Sequence, residues 1–265
     1  MTAGRAYNAL SWGSAAVVVA FLGFLWAGLV YRHAAIASGE AKQVDRNATV
    51  PHDTVVILGF TAVAIGLAGV AARAWRKTAP ILVRENMEAL KKRKSNKPIF
   101  ATLKDVALGG MSECEDFQQW AGHIGIFWGF IGLTATTTLD FFVNPKAVPL
   151  PIGHPVRILG NATGLLFMAG LTVAMARRAL LTHVRAVSTF ADWSFLVSLW
   201  GTGLTGFLVE GGADWSNGPA TARLYLIHLI FVFAILAAAP WTKFVHAAWR
   251  PTWILFRELK SEKKT

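Results

Sequence analysis

The sequence has little of what soluble and metal-cluster proteins usually need. Cysteine occurs once in 265 residues, at Cys114. This lone thiol excludes a disulfide framework, a cysteine-ligated zinc site and an iron–sulfur cluster held by this chain alone. Charged residues make up only 15% of the chain, whereas soluble domains carry roughly 25%. Since 54% of the residues are hydrophobic, the composition argues against a soluble protein.

Acidic residues are scarce relative to basic ones. The chain has 15 Asp and Glu against 26 Lys and Arg, for a net charge of +11. In a soluble chain this excess would suggest binding to nucleic acid. In a chain with long apolar runs, the basic residues must first be placed relative to those runs.

Six uncharged stretches interrupt the chain, and each is long enough for a membrane helix, which needs roughly 20 residues. We therefore predict an all-α membrane protein with six transmembrane helices. The first stretch has 23 residues, more than the roughly 7–15 of a signal-peptide core, so we expect it to be retained. The six stretches are Ala9–Tyr31, Thr54–Ala72, Phe117–Leu139, Ile158–Ala176, Trp193–Val209 and Leu224–Thr242.

The basic residues orient this predicted bundle. With the N-terminus in the cytoplasm, 20 of the 26 Lys and Arg residues fall on the inner side, as the positive-inside rule requires. We thus expect a multi-pass protein of the cytoplasmic membrane with both termini cytoplasmic. The basic excess then faces anionic lipid, and nucleic acid is not an expected partner. The longest inner loop suggests a surface helix at Pro80–Lys97 or a dock for a soluble partner. Asp105–Asp116 is polar and fits docking better than burial, so we expect a soluble subunit to dock on Pro80–Asp116.

The histidines are the candidate functional residues, because an ionisable side chain inside a span is costly. His228 and His246 are 18 residues apart, so on one continuous helix they would share a face about 27 Å apart. Such a pair suits two stacked haems, since imidazole is a common axial ligand of haem iron. In the predicted topology, His123 lies at the inner level with His246, and His154 lies at the outer level with His228. Packing or proton relay is the alternative role for all four.

Four segments in order give the chain a family resemblance. Leu226–Pro251, "LIHLIFVFAILAAAPWTKFVHAAWRP", resembles the last helix of the gamma subunit of respiratory nitrate reductase, and His123–Thr138 is similar to that family's ligand-bearing helix. His154–Asn161, "HPVRILGN", and Asp192–Glu210 resemble the cytochrome b subunits of heterodisulfide-reductase-like complexes and of the quinone-interacting membrane oxidoreductase.

This resemblance implies a membrane-anchored dihaem cytochrome b. Such a protein binds two haem b groups and exchanges electrons between menaquinone or another quinone and cytoplasmic iron–sulfur or flavin subunits. It is an electron-transfer subunit of a respiratory oxidoreductase complex rather than a self-sufficient enzyme. The resemblance assigns His123 and His246 to the inner haem and His228 to the outer haem.

The implied organisation has four parts. Two N-terminal membrane helices occupy residues 1–75, and a cytoplasmic loop follows at 76–116. Spans three to six form a four-helix haem-binding core at 117–250, and a cytoplasmic tail completes the chain at 251–265.

One position departs from the nitrate reductase pattern. That family has a second histidine ten residues after the first on the same helix, where this chain has Leu133. Leucine cannot bind iron, so the outer haem needs another ligand. His154 is at the predicted outer level and is our assignment, with His52 in reserve.

The quinone site is expected near the outer haem, where Arg157 and Asn161 offer a cation and an amide. Arg157 could equally pair with a haem propionate. Asp140 and Glu210 lie near the same face and could pass protons. The rival function is a haem-free membrane anchor or transporter built on the same spans.

Overall fold

The computed structural model describes residues 52–81, 97–109, 116–144, 150–214 and 218–262. Every regular element within these ranges is a helix, which confirms the predicted all-α class. The predicted first span, Ala9–Tyr31, lies outside the described residues, and so do residues 82–96 of the predicted surface helix.

Eight α-helices follow one another along the described ranges. A short 3-10 turn, Ala239–Trp241, stands between the last two. We label the α-helices α1 His52–Ile81, α2 Lys97–Ala107, α3 Phe117–Val143, α4 Pro155–Leu180, α5 Thr182–Ala186, α6 Phe190–Asp214, α7 Gly218–Ala238 and α8 Val245–Glu262.

Four of the described helical segments are long and apolar enough to cross a membrane: Ile57–Arg76, Phe117–Val143, Pro155–Leu180 and Arg223–Trp241. They correspond to predicted spans two, three, four and six, so the chain is a membrane protein. Helix α6 contains predicted span five and is 25 residues long, but it is not among these four segments. The count of six spans and the haem-binding bundle remain predictions.

The chain divides into two compact units. Of the described residues, the first unit holds those at 52–59 and between 116 and 232, and the second holds those between 60 and 109 and between 233 and 262. The first unit therefore contains α3, α4, α5, α6 and most of α7. The second contains most of α1, together with α2, the end of α7 and α8.

In the first unit, α3 and α4 pack along a stripe of glycines on α3. A Cβ added at Gly125 would lie 3.2 Å from Gly170 Cα, and one added at Gly129 would lie 2.6 Å from Phe167 Cα. Small residues at this spacing let two backbones approach closely, as in many membrane helix pairs. The full stripe consists of Gly122, Gly125, Gly129 and Gly132.

Helices α4 and α6 pack antiparallel around the core of this unit. A Cβ added at Gly164 would touch the ring of Phe207 at 2.9 Å. One helical turn further along α4, Met168 packs against Gly203, and Met168 is fully buried. Gly164 and Gly203 each make room for a large side chain of the opposite helix.

Helices α6 and α7 are also antiparallel neighbours. Thr221 near the start of α7 donates to the carbonyl of Gly212 near the end of α6, at 3.1 Å. Ten residues further along α7, the ring of Phe231 lies against Gly201. These contacts fix the register of α7 on α6, and this register places His228 of α7 opposite Thr205 of α6.

Local sequence signals set where the helices begin. His154 is the N-cap of α4 and Pro155 is its first residue, a position that suits proline because the N–H it lacks would have no partner within the helix. Ahead of α6, the N–H of Thr189 donates to Asp192 and the N–H of Asp192 donates back to the Thr189 hydroxyl. This reciprocal pair is a capping box.

In the second unit, α7 ends at Ala238 and a separate helix, α8, begins at Val245. The prediction that His228 and His246 lie five turns apart on one continuous helix is therefore wrong. Pro240 explains the break, because proline has no N–H to donate and its ring clashes with the carbonyl four residues earlier. The carbonyl of Pro240 itself, which lies in this break, accepts a 2.9 Å hydrogen bond from Arg73 of α1.

In the second unit, α2 packs against α8. The predicted topology places both helices on the cytoplasmic side of the membrane. Helix α8 runs without interruption through residue 250 to Glu262. The boundary placed at residue 250 between the core and the tail thus falls inside a helix.

Candidate haem site

His228 lies at the middle of α7, and its ring rests on α6. Its Nδ1 is 3.0 Å from the hydroxyl oxygen of Thr205. A Cβ added at Gly206 would lie 3.2 Å from Cε1 of the same ring. The imidazole thus contacts the hydroxyl of Thr205 and packs on the helix backbone at Gly206.

The hydrogen bonds of Thr205 decide the tautomer of His228. The Thr205 hydroxyl points to the carbonyl of Gly201 at 2.8 Å and lies 3.1 Å from that of Thr202. Carbonyl oxygens only accept and a hydroxyl has one hydrogen, and the contact with the Gly201 carbonyl is the shortest of the three. With the hydrogen on that carbonyl, Nδ1 of His228 is the donor to Thr205, and the lone pair of the neutral ring lies on Nε2.

His246 carries the same tautomer by a different route. It lies in the first turn of α8 with an exposed side chain, and its Nδ1 contacts the carbonyl of Lys243. Because a carbonyl cannot donate, Nδ1 carries the hydrogen and Nε2 carries the lone pair. A metal-bound histidine typically donates its other ring N–H in this way, which orients the ring and raises its basicity.

His123 lies on α3 beside the glycine stripe and is half-buried. Its neighbour Gly122 contacts Val173 of α4, while Thr172 accepts a hydrogen bond from Trp200 of α6. Gly201, the residue after Trp200, contacts Phe231 of α7. Through these contacts His123 is level with a part of α7 that lies about one turn, or roughly 5 Å, from His228. The structure thus brings His123 and His228 to nearly the same depth of the first unit. His246 belongs to the second unit.

His154 is used differently. Its Nδ1 accepts a hydrogen bond from the backbone N–H of Val156 at 3.3 Å, which caps α4. Accepting at Nδ1 places the proton of the neutral ring on Nε2. His154 would have to release this cap, or lose that proton, before Nε2 could bind iron.

The helix register also separates His154 from His228. Thr205 lies between Gly203 and Phe207, which contact Met168 and Gly164 of α4. His228 is therefore level with the turn of α4 at residues 165–167. His154 precedes that turn by at least eleven residues, which is about 16 Å along the axis. The structure does not bring these two histidines together. Their pairing on one iron stays a prediction, and the helix register argues against it. The reserve residue, His52, begins α1.

Arg157 and Asn161, the predicted quinone-site residues, lie one turn apart on the face of α4 that meets α6. Arg157 is 7% exposed, and its guanidinium pairs with Glu210 of α6 and donates to the carbonyl of Leu150 at 2.6 Å. Asn161 is 8% exposed, and its Nδ2 has no hydrogen-bond partner among the described residues. Arg157 ties two helices together, whereas Asn161 offers a buried donor.

The opposite end of the α4–α6 pair carries a second set of ion pairs. Arg177 is buried and binds both carboxylate oxygens of Asp116. Arg178 donates to Ser188 at 2.9 Å and lies 3.7 Å from Asp192. Sequence reasoning noted only the charge of these residues. The T-x-x-D spacing of the capping box was the one signal that could have placed Asp192.

Thr205 was missed as well. It is one of the threonines of α6 and precedes His228 by 23 residues. Without the register of α6 on α7, no sequence pattern singles it out.

No protein-family model matches the chain, and no solved structure matches it. It is similar to the E subunit of dihydromethanophenazine:CoB–CoM heterodisulfide reductase from three archaea. The identity is 28% over 152 residues with Methanosarcina acetivorans, covering 52% of this chain and 58% of that protein. It is 26% over 155 residues with Methanosarcina mazei, covering 52% and 59%, and 29% over 146 residues with Methanosarcina thermophila, covering 48% and 54%.

The chain thus spans less than three fifths of the length of these curated relatives. The match agrees with the heterodisulfide-reductase part of the resemblance found in the sequence. It does not show the nitrate reductase gamma family.

Proposed function

We propose that this chain is the haem-binding membrane subunit of a multi-subunit oxidoreductase. In this role it passes electrons between a lipid-soluble carrier and the soluble subunits of the complex. The observation that carries the proposal is the 3.0 Å contact between Nδ1 of His228 and the hydroxyl oxygen of Thr205. With Nδ1 as the donor in this contact, the lone pair of the neutral ring lies on Nε2, the nitrogen that would bind haem iron.

The donor set fits haem b. Nδ1 of His228 and Nδ1 of His246 each lie within hydrogen-bond distance of an oxygen, and donation from Nδ1 gives the tautomer that an Nε2 ligand needs. His123 supplies a third imidazole within about one turn of the level of His228. Bound haem supplies one-electron transfer, and the protein contributes ligands, an apolar setting and hydrogen bonds that tune the potential. Two haem b groups remain part of this proposal, with His246 serving the second.

We assign the lipid-soluble carrier to the region of Asn161. Its unpartnered Nδ2 is a buried donor, suited to a carbonyl oxygen or a ring nitrogen acceptor. Arg157 is engaged with Glu210 and Leu150, so it positions α4 rather than binding the carrier. The relatives are named for dihydromethanophenazine, and the carriers to be tested are therefore menaquinone, other quinones and phenazines.

The relatives are subunits of a complex, which supports a soluble partner for this chain too. In the predicted topology α2 faces the cytoplasm, and it exposes Phe100 and Leu103 on one side. Lys97 and Lys104 stand at the ends of the same helix. An iron–sulfur or flavin subunit is the partner that an electron-transfer role requires. A photo-cross-linker at Phe100 is expected to capture a cofactor-bearing protein, and cross-links to lipid alone would contradict this docking site.

Haem content tests the central proposal. Membranes that express the chain are expected to show a reduced-minus-oxidised spectrum of b type, with two haems per chain by pyridine haemochrome assay. His228→Ala and His246→Ala should each remove one haem signal or turn it high-spin. His183→Ala is the control, because this exposed histidine of α5 lies outside the candidate spans.

The two outcomes separate the candidate functions. A chain that purifies without haem would overturn the proposal and favour the haem-free anchor. Spectra that no histidine substitution changes would show that the assigned ligands are wrong.

A further inference from the structure

The contact between α6 and α7 holds one side chain that no sequence signal assigned to a role. Thr205 is 9% exposed, and its oxygen is within 3.0 Å of His228 Nδ1. The hydroxyl hydrogen is used on the carbonyl of Gly201 one turn back, at 2.8 Å. The oxygen of Thr205 therefore presents a lone pair, not a hydrogen, to the imidazole.

The surrounding backbone fixes the ring in place. Gly206 follows Thr205, and a Cβ there would press on Cε1 of His228 at 3.2 Å. One turn away, Gly201 makes the same room for the ring of Phe231. Gly201 and Gly206 flank Thr205 and let side chains of α7 lie directly on the α6 backbone. The ring of His228 can therefore approach the Thr205 hydroxyl closely.

We propose that Thr205 is a positioning residue for His228. By accepting Nδ1–H it selects the tautomer that leaves the lone pair on Nε2, and it raises the basicity of the imidazole as a ligand. This inference rests on the proposed haem function. A more basic axial ligand stabilises the ferric state, so removing the hydroxyl should raise the reduction potential of the haem that His228 binds.

The test compares threonine variants in the full-length chain. Thr205→Val removes the hydroxyl with little change of shape, and Thr205→Ser keeps it. Thr134→Val is the matched control, because the Thr134 hydroxyl bonds to the carbonyl of Phe130 in its own helix. Redox titration of the haem band and the low-spin ferric electron paramagnetic resonance spectrum are the readouts, and neither depends on turnover.

Thr205→Val is expected to shift one midpoint potential upwards and to change the g values of one haem, with haem content kept. Thr205→Ser and Thr134→Val should behave as the parent chain. If Thr205→Val loses haem altogether, Thr205→Ala removes the hydroxyl with a smaller side chain, and it should show the same upward shift.

Two failures are distinguishable. A parent chain with haem, in which His228→Ala removes a signal while Thr205→Val and Thr205→Ala titrate as the parent, overturns the role of Thr205 alone. A parent chain that binds no haem overturns the proposed function and, with it, this inference.

Discussion

Arg177, near the end of α4, donates to both carboxylate oxygens of Asp116 at 2.6 Å. Asp116 is also the N-cap of α3, where it accepts a hydrogen bond from the N–H of Gln119 at 2.8 Å. One carboxylate therefore neutralises a buried guanidinium and closes the first turn of a neighbouring helix. This links the ends of the two helices that the glycine stripe packs together.

The protonation of Asp116 should control this link. Partial burial alone would raise the pKa of Asp116, but hydrogen bonds from Arg177 and from the N–H of Gln119, with the charge of Arg177, outweigh it. The pKa consequently lies below its ordinary value of 3.8. The stabilisation is then fully present above that value and is lost as the pH falls through the lowered pKa.

We expect Asp116→Asn to lower the free energy of unfolding by about 1 kcal/mol, because it leaves Arg177 buried without its charge partner. The difference from the parent chain should stay constant from pH 8 to about pH 5 and shrink below about pH 3.8. Thermal unfolding in detergent, followed by the fluorescence of the 11 tryptophans, measures it. Arg185→Gln, at an exposed arginine of α5, is the control. A difference that is independent of pH down to pH 2 would contradict the role of the charge.

The glycine stripe gives a second prediction. A Cβ at Gly129 would lie 2.6 Å from backbone atoms of Phe167, and a backbone cannot rotate away as a flexible side chain can. Gly129→Ala should therefore destabilise the α3–α4 pair by about 1–3 kcal/mol, the usual cost of overpacking. Gly153→Ala is the matched control, since nothing lies within 4 Å of a Cβ there. Equal thermal midpoints for the two variants would show that the helices are not this close.

Topology gives a third prediction. Because 20 of the 26 basic residues fall on one side of the predicted spans, both termini should be cytoplasmic. A cytoplasmic reporter fused at Thr265 should be active, and the same reporter in the loop Asn144–Pro151 should be silent. Activity at the loop would reverse the orientation of α3 and α4 and place Asn161 at the opposite membrane face.

The sequence predicted the parts of this fold that follow from local pattern. Four candidate spans follow from uncharged runs. The break at Pro240 was missed although the proline is visible, because an apolar run and the 18-residue histidine spacing favoured one continuous helix. The contacts of Thr205 with His228 and of Arg157 with Glu210 depend on helix register, which local patterns do not encode.

The fourth prediction concerns which histidine shares the iron of His228. The sequence assigned His154, because Leu133 removes the expected partner and His154 lies at the outer level. The structure gives two reasons to expect otherwise. His154 uses its Nδ1 lone pair to cap α4, and it lies about 16 Å along the axis from the level of His228. His123, by contrast, lies within about one turn of that level.

We therefore expect His123→Ala and His228→Ala to give the same spectral defect, a high-spin or missing haem. His154→Ala should keep its low-spin spectrum and lose about 1 kcal/mol of stability, the usual cost of a lost N-cap. His154→Asn is the control, because asparagine restores a cap acceptor without providing an imidazole. It should recover the stability if His154 is only a cap. If His154→Ala and His154→Asn both reproduce the defect of His228→Ala while His123→Ala affects a different haem, His154 is the ligand, and α4 must move when haem binds.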